Sequence, residues 1–376
     1  ERWASEALRL DASVEGPLDA DTFVREVLRT QVVPALLERW RSEMRDGAKS
    51  FEARTLARPV RPTEDRPVDV VIPVYKGLSE TIACVKSALA ARNSVPHRVV
   101  AINDASPDAE LAEALRELAD STELVLLENP DNLGFVATVN RGMKLEPKRD
   151  VVLLNSDTVV PNGWLDALVD AAYSVPDVGT VTPLSNRATI CSVPITNFDN
   201  DMPEGHDVEA MNLLCREHGA GGIIDIPTAV GFCMYIRRAA LDEVGYFDEA
   251  RWKKGYGEEN DFCVRARARG YRSVATTSCF VQHHGSVSFA GEKAARVREN
   301  LEVLNALYPD YHDAVHSYLA ADPMRVHRNR INTALLRSSG KPQVLHVVHN
   351  LGGGTQTAFE QMSKDLAVQG YGSLRG

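Results

Sequence analysis

The sequence predicts an α/β fold, a mostly parallel sheet flanked by helices. Three observations predict it. From Val68 onward, strand-length apolar runs recur: VDVVIPVY (68–75), HRVVAIN (97–103), ELVLLE (123–128), DVVLLN (150–155) and VGTVTP (178–183). Polar turns bound each run, and helical patterns of apolar residues separate them. The intervals are long enough for the crossover that parallel neighbours require, whereas a hairpin would need only a tight turn.

The elements follow in order. After the first run, Ser79 is placed to cap a helix whose inner face carries Ile82, Val85 and Leu89. After the second, Ser106-Pro107 reads as an N-cap followed by proline in the first helical turn. A helix carrying Phe135, Val139 and Met143 follows the third run, and another starts near Gly163 after the fourth. Residues 196–222 read as a loop plus one helix, and helix returns over 291–338. Four divisions result. Residues 1–66 form a helical N-terminal arm and linker, with Val24, Leu28, Val32, Leu36 and Leu37 at helical spacing and a Pro-rich connector, RPVRPTEDRP. Residues 67–300 form the α/β domain, 301–340 a helical extension, and 341–376 a strand, glycine loop and helix.

Composition narrows the function. The chain has 376 residues, 44% of them hydrophobic, the balance of a folded protein and not of a disordered one. Lys+Arg number 42 against 52 Asp+Glu, a formal charge of −10, which disfavours general binding of nucleic-acid phosphates. No apolar run approaches the roughly 18–20 residues of a membrane span. No basic-then-apolar segment follows Glu1, so no secretory signal is visible. The six cysteines have no CxxC pair and read as small buried residues of a reducing compartment.

Carboxylates and imidazoles gather at a few places. Asn155-Ser156-Asp157 directly follows a buried strand, where Asp157 either closes the turn or holds a divalent cation that bridges phosphates. Asp104 ends the second strand, placed to accept hydrogen bonds from a nucleobase or ribose. Glu258, Glu259 and Asp261 crowd the start of a helix expected near Asn260. Some would favour the helix dipole, but three together point to cation binding or proton transfer. His283 and His284 follow the apolar segment SCFVQ and could add a nitrogen ligand to the same cation.

Seven segments carry a resemblance: IPVYKG (72–77), INDASPD (102–108), NLGFVATVNRGM (132–143), LLNSDTVVPNGWL (153–165), VGFCMYIRRAALDEVGYFDE (230–249), GEENDFCVRARARGY (257–271) and VQHHGSVSF (281–289). In this order and spacing the chain resembles the family 2 glycosyltransferases. The resemblance implies the GT-A fold, a Rossmann-like nucleotide-diphospho-sugar transferase domain, here with helical N- and C-terminal extensions. It implies inverting transfer of a sugar from a nucleotide diphosphate donor to a hydroxyl acceptor, with Mn²⁺ or Mg²⁺ as cofactor. Pro73, Tyr75, Asp104, Asn132, Asn155, Ser156, Gly231 and Glu258 would line the donor site. Glu259 would be the catalytic base, and Asp157 with His283, or His284 beside it, would hold the metal. Two departures stand out: Asn155 replaces the first Asp of the family's DxD element, and Glu259 replaces the Asp of its ED pair.

The resemblance further implies a saccharide or lipid-linked saccharide acceptor. It suggests a role in bacterial surface polysaccharide or lipopolysaccharide assembly, in the cytoplasm or at the inner face of the membrane. Residues 341–376 resemble the truncated beginning of a family 4, GT-B glycosyltransferase, so a longer multi-domain transferase is expected. Rival readings are weaker. A nucleotidyltransferase would want a glycine-rich basic loop where VYKGLSE stands, and a glycoside hydrolase has no use for a base-binding Asp104. The alternative from another class is a catalytically inactive nucleotide-sugar-binding scaffold module.

Overall fold

In the computed structural model, the described residues are 67–252, 255, 257–285 and 300–338, with short pieces at 343–346, 361–362, 365 and 372–375. The N-terminal arm and nearly all of its connector lie outside them. An eight-stranded sheet organises the domain. Its strands are β1 (Val68–Val74), β2 (His97–Asn103), β3 (Val125–Glu128), β4 (Asp150–Leu154), β6 (Val178–Leu184), β7 (Ile223–Asp225), β8 (Cys233–Ile236) and β9 (Arg272–Phe280), in the order β3-β2-β1-β4-β8-β6-β9-β7. Pairs β3-β2, β2-β1, β1-β4 and β6-β9 are parallel; β8 is antiparallel to both its neighbours, and β7 to β9. The sheet is therefore mixed and mostly parallel, as the strand spacing predicts.

Residue parity decides which face each side chain covers. Val70, Ile72 and Val74 of β1, Ala101 of β2, Val152 and Leu154 of β4, and Tyr235 of β8 join one core; Val71, Val100, Ile102, Val151, Leu153 and Met234 join the other. Because both faces are covered, these strands are apolar almost throughout instead of alternating with polar residues. Helices α1 (Leu78–Ala90), α2 (Ala109–Ser121), α4 (Trp164–Ala172) and α5 (Val208–His218) lie over the first face. Helices α3 (Phe135–Met143), α6 (Arg238–Val244) and α7 (Glu258–Arg267) lie over the second. On α3, Val136, Val139 and Met143 face inward at helical spacing, and Gly142 lets the helix approach: a Cβ there would meet Val71 Cγ1 at 2.4 Å.

Three boundaries differ from those expected. Gly77, at φ 94°, makes the turn into α1, so Ser79 is already inside the helix and its hydroxyl donates to Glu80. The cap of α2 is Asp108, whose carboxylate accepts from the amides of Glu110 and Leu111, while Ser106 Oγ accepts from Asp108 N. Helix α7 begins at Glu258 and not near Asn260, because Gly257 turns the chain at φ 150° and its carbonyl accepts the first helical bond, from Asp261 N at 2.9 Å.

Beyond β9, residues 300–307 are helical, followed by α8 (Tyr311–Ala321) and α9 (Arg325–Ser338). Strands β11 (Gln343–His346) and β12 (Gly372–Arg375) pair in parallel as a separate two-stranded sheet. The expected strand is there, but β12 was not anticipated: GSLR has a single large apolar residue and no strand-like run.

Candidate active site

The carboxyl ends of β1, β2 and β4 form one rim. The chain leaves β1 toward β2 on one side and reaches β4 on the other, so the sheet has a switch point between β1 and β4 where such folds take up ligands. Tyr75 follows β1 and is 38% exposed; Asn155, Ser156 and Asp157 follow β4. The turn after β4 is fixed from two sides. Asn155 N donates to Phe232 O at 2.8 Å, and Cys84 Sγ of α1 lies 3.4 Å from both Asn155 O and Thr158 Oγ1.

Past that turn, β5 (Thr158–Val159) pairs antiparallel with β10 (Gln282–His283), placing His283 opposite Thr158. His284 N donates to Asp157 O at 2.9 Å, and His283 Nε2 lies 3.3 Å from Asp157 Oδ1. The His283 ring is held on every side. Its Nδ1 is 2.6 Å from the Arg187 carbonyl, which can only accept, so Nδ1 carries the proton and Nε2 faces Asp157. Phe232 stacks on the ring at 5.2 Å. Asn186 receives His283 N at 2.9 Å and donates to His283 O at 3.0 Å. Burial raises the Asp157 carboxyl, but the His283 hydrogen bond and charge outweigh it, and the net pKa is below the ordinary value. Of the two histidines, then, the structure brings the ring of His283 to Asp157, while His284 contributes its main chain and a more distant charge.

Of the three clustered acids, only Glu259 has a buried carboxylate oxygen with no partner. Asp261 is fully buried and bound to Arg265 Nε (2.8 Å) and to the Tyr308 hydroxyl (2.6 Å). Glu258 Oε2 accepts from Gly257 N at 3.0 Å. Glu259 Oε2 is buried with no hydrogen-bond partner, and burial raises its carboxyl pKa, only partly offset by the amides of Glu259 and Gly257. A Cβ added at Gly231 would stand 3.6 Å from Glu259 Oε1. Gly231 and Phe232 are consecutive, so the first residue of this dipeptide leaves room beside the Glu259 carboxylate and the second stacks on the His283 ring.

Asp104 is spent inside the protein. Its Oδ1 accepts from Asn129 Nδ2 (2.7 Å) and Leu133 N (2.8 Å), and its Oδ2 from Gly134 N (2.9 Å). Asn132 Oδ1 also accepts from Gly134 N, at 3.0 Å. Asp104 therefore fastens the 129–134 loop to the end of β2, and three of its roughly four lone-pair positions are taken. Pro73 sits within β1 opposite Ile102, so Tyr75 is the more outward of the two β1 candidates.

Sequence reasoning missed Glu80, Asn186, Arg187 and Phe232. Glu80 of α1 is close enough to His284 and Asp157 for their charges to act on it, and its pKa is lowered, chiefly by the Ser79 hydroxyl. Its position four residues before Cys84, on the face that meets the Asn155 turn, was the available signal. Asn186 and Arg187 end a strand as polar residues, as Asp104 and Asp157 do, but without a carboxylate to draw attention.

Residues 65–301 match the model of the family described as Glycosyltransferase like family 2. Over 250 residues the chain is 26% identical to the pre-mycofactocin glycosyltransferase of Mycobacterium tuberculosis, covering 65% of this chain and 49% of that protein. Over 193 residues it is 28% identical to the N-acetylglucosaminyl-diphospho-decaprenol L-rhamnosyltransferase of the same organism, covering 46% of this chain and 62% of the relative. Among solved structures it is similar to the mannosyltransferase PcManGT from Pyrobaculum calidifontis in complex with GDP-Man and Mn²⁺. The TM-score there is 0.47 at 18% identity, over 89% of this chain and 88% of that one. The chain spans 28% to 62% of the length of the curated relatives it matches.

Proposed function

The chain belongs to the glycosyltransferase-like family 2, and from that membership we propose that it transfers a sugar from a nucleotide diphosphate donor to a hydroxyl acceptor, inverting the anomeric carbon. The observation that carries this is the Gly231-Phe232 dipeptide, whose first residue adjoins the Glu259 carboxylate, with its buried and unpartnered Oε2, and whose second stacks on His283 of the Asp157–His283 pair. Proton removal and a cation-binding edge in one crevice are what glycosyl transfer needs.

Asp157 and His283 fit a divalent cation. His283 Nδ1 is committed to a carbonyl, so Nε2 faces Asp157, and loss of the Nε2 proton would free its lone pair for an ion beside that carboxylate, the arrangement that fixes a metal-binding imidazole. Among the described residues no three His, Cys, Asp or Glu side chains gather into a cage. The protein would thus supply two ligands, leaving the others to donor phosphates and water, as suits Mg²⁺ or Mn²⁺. When bound, the cation neutralises the charge of the departing diphosphate. The residues of this chain do the rest. Glu259 accepts the acceptor's hydroxyl proton; its raised pKa makes it a stronger base than an ordinary glutamate. Asp104 shapes the donor site through the 132–134 loop, and Tyr75 offers an exposed ring beside it.

An inactive scaffold is disfavoured, because a buried carboxylate oxygen without a partner is costly to keep where no chemistry uses it. A lipid-linked saccharide is the acceptor class we carry over, since one relative's name describes a decaprenol diphosphate saccharide. Work at the cytoplasmic face of a membrane would follow; among the described residues no helix is long and apolar enough to cross one. The parallel β11–β12 pair supports reading 341–376 as the opening of a second, GT-B-like unit. A panel of nucleotide sugars assayed for Mn²⁺-dependent hydrolysis and transfer tests the proposal. Turnover by the wild type and transfer reduced by roughly a hundredfold or more in Glu259→Gln are expected; no donor bound or turned over by the wild type would overturn it.

A further inference from the structure

Helix α8 packs Tyr311 and Val315 against the core on the α7 side of the sheet, and turns another face to water. On that outer face stand His312 and His316, both exposed, one helical turn apart. Their Nε2 atoms are 3.1 Å from one another and their ring centroids 4.2 Å apart. Side chains at i and i+4 share a helix face, and paired histidines at that spacing are how helices present two nitrogens to one ion.

The distance carries the argument further than the spacing. With metal–nitrogen bonds of about 2.0–2.1 Å, two nitrogens 3.1 Å apart subtend about 95–100° at an ion between them. That angle serves two adjacent ligands in tetragonal, octahedral or slightly compressed tetrahedral geometry. The rings already converge on their outer nitrogens, so an ion would need little rearrangement. We propose that His312 and His316 form a bidentate transition-metal site, separate from the crevice. Two imidazoles with no carboxylate partner favour Cu²⁺, Ni²⁺ and Zn²⁺ over Mn²⁺ and Mg²⁺. No third His, Cys, Asp or Glu joins them among the described residues, so the remaining coordination positions belong to water or an external ligand.

The test titrates the full chain with Cu²⁺ in the presence of saturating Mg²⁺, which is diamagnetic, and follows bound copper by equilibrium dialysis and by electron paramagnetic resonance. Wild type is compared with His312→Ala, His316→Ala and the double variant. Wild type is expected to bind one more equivalent of Cu²⁺ than the double variant, and each single variant to weaken that equivalent tenfold or more. The nitrogen splitting should report two imidazoles in the wild type and lose that signature in each variant. Both residues are exposed, so equal melting temperatures without metal are expected and confirm that each variant is folded. Equal copper stoichiometry and affinity in the wild type and the double variant would overturn the proposal, as would a single variant that keeps the wild-type affinity.

Discussion

Tyr308 donates its hydroxyl to Asp261 Oδ1 at 2.6 Å, while Arg265 Nε holds the other oxygen of that buried carboxylate at 2.8 Å. Asp261 lies two residues after Glu259, and Asn300 Nδ2 reaches the carbonyl of Gly255 just before the same turn, at 2.7 Å. The helical extension therefore braces the helix that carries Glu259.

Tyr308→Phe removes one hydrogen bond to a charged group and should cost about 1.5–3 kcal/mol of stability, read from chemical denaturation at neutral pH. Donor affinity should be unchanged and turnover reduced. The alkaline limb offers a second check. Burial and the Asp261 bond push the Tyr308 hydroxyl from 10.0 up to about 12. Between those values the unfolded chain ionises first, so wild-type stability falls as pH rises, and the Phe variant should lack that component.

Glu259→Gln should separate stability from activity. Burial raises the Glu259 carboxyl above 4.5. As pH rises past that value, the unfolded chain releases a proton that the folded one retains, so the folded state loses stability until Glu259 also ionises. The Gln variant escapes this loss, and its melting temperature at pH 7 should equal or exceed the wild type's. Transfer should fall by roughly a hundredfold or more, the usual worth of a general base, while donor and Mn²⁺ binding persist.

Asp157→Asn keeps the shape of the turn and removes the charge that His283 faces at 3.3 Å. Mn²⁺-dependent donor affinity should drop by more than the roughly 10–100-fold typical of losing a partner one shell further out. Isothermal titration with and without chelator reads it. Full affinity in excess chelator, in the wild type, would remove the cation from the scheme.

Asp104→Asn converts an acceptor of three protein donors into a group with one acceptor oxygen. The amides of Leu133 and Gly134 should exchange hydrogen faster, because one or both lose their partner. Donor dissociation should rise by roughly tenfold to a hundredfold, the worth of one or two hydrogen bonds. Faster exchange with unchanged donor affinity would show that the loop does not touch the nucleotide.

The sequence made the parallel half of the sheet legible because each of its strands is buried on both faces and reads as an unbroken apolar run, as in VVIPV or DVVLL. It hid β8, where CMYI continues directly into a helix with no turn signal, and β5 and β10, which have two residues each. Asp157, Glu259 and His283 could be picked out by type and position. Their division of labour could not, because the partners that occupy Asp261, Glu258 and Asp104 come from the Tyr308 hydroxyl, from a glycine amide and from the 129–134 loop. Carboxylates look alike in a sequence; only the donors around them tell a structural acid from a free one.

The Gly231-Phe232 dipeptide also makes a forecast about sequence drift. Its register is fixed downstream by β8, whose Cys233 pairs with Leu154, and at Phe232 itself by the Asn155 amide. Point substitutions at many flanking positions would leave that register intact. One inserted or deleted residue between Val230 and Cys233 would instead exchange the neighbours of the acid and the imidazole in a single step. Natural length variation in this fold should therefore collect in loops such as 196–207 and avoid these few residues, and a library of single-residue insertions scored for turnover would map that boundary directly.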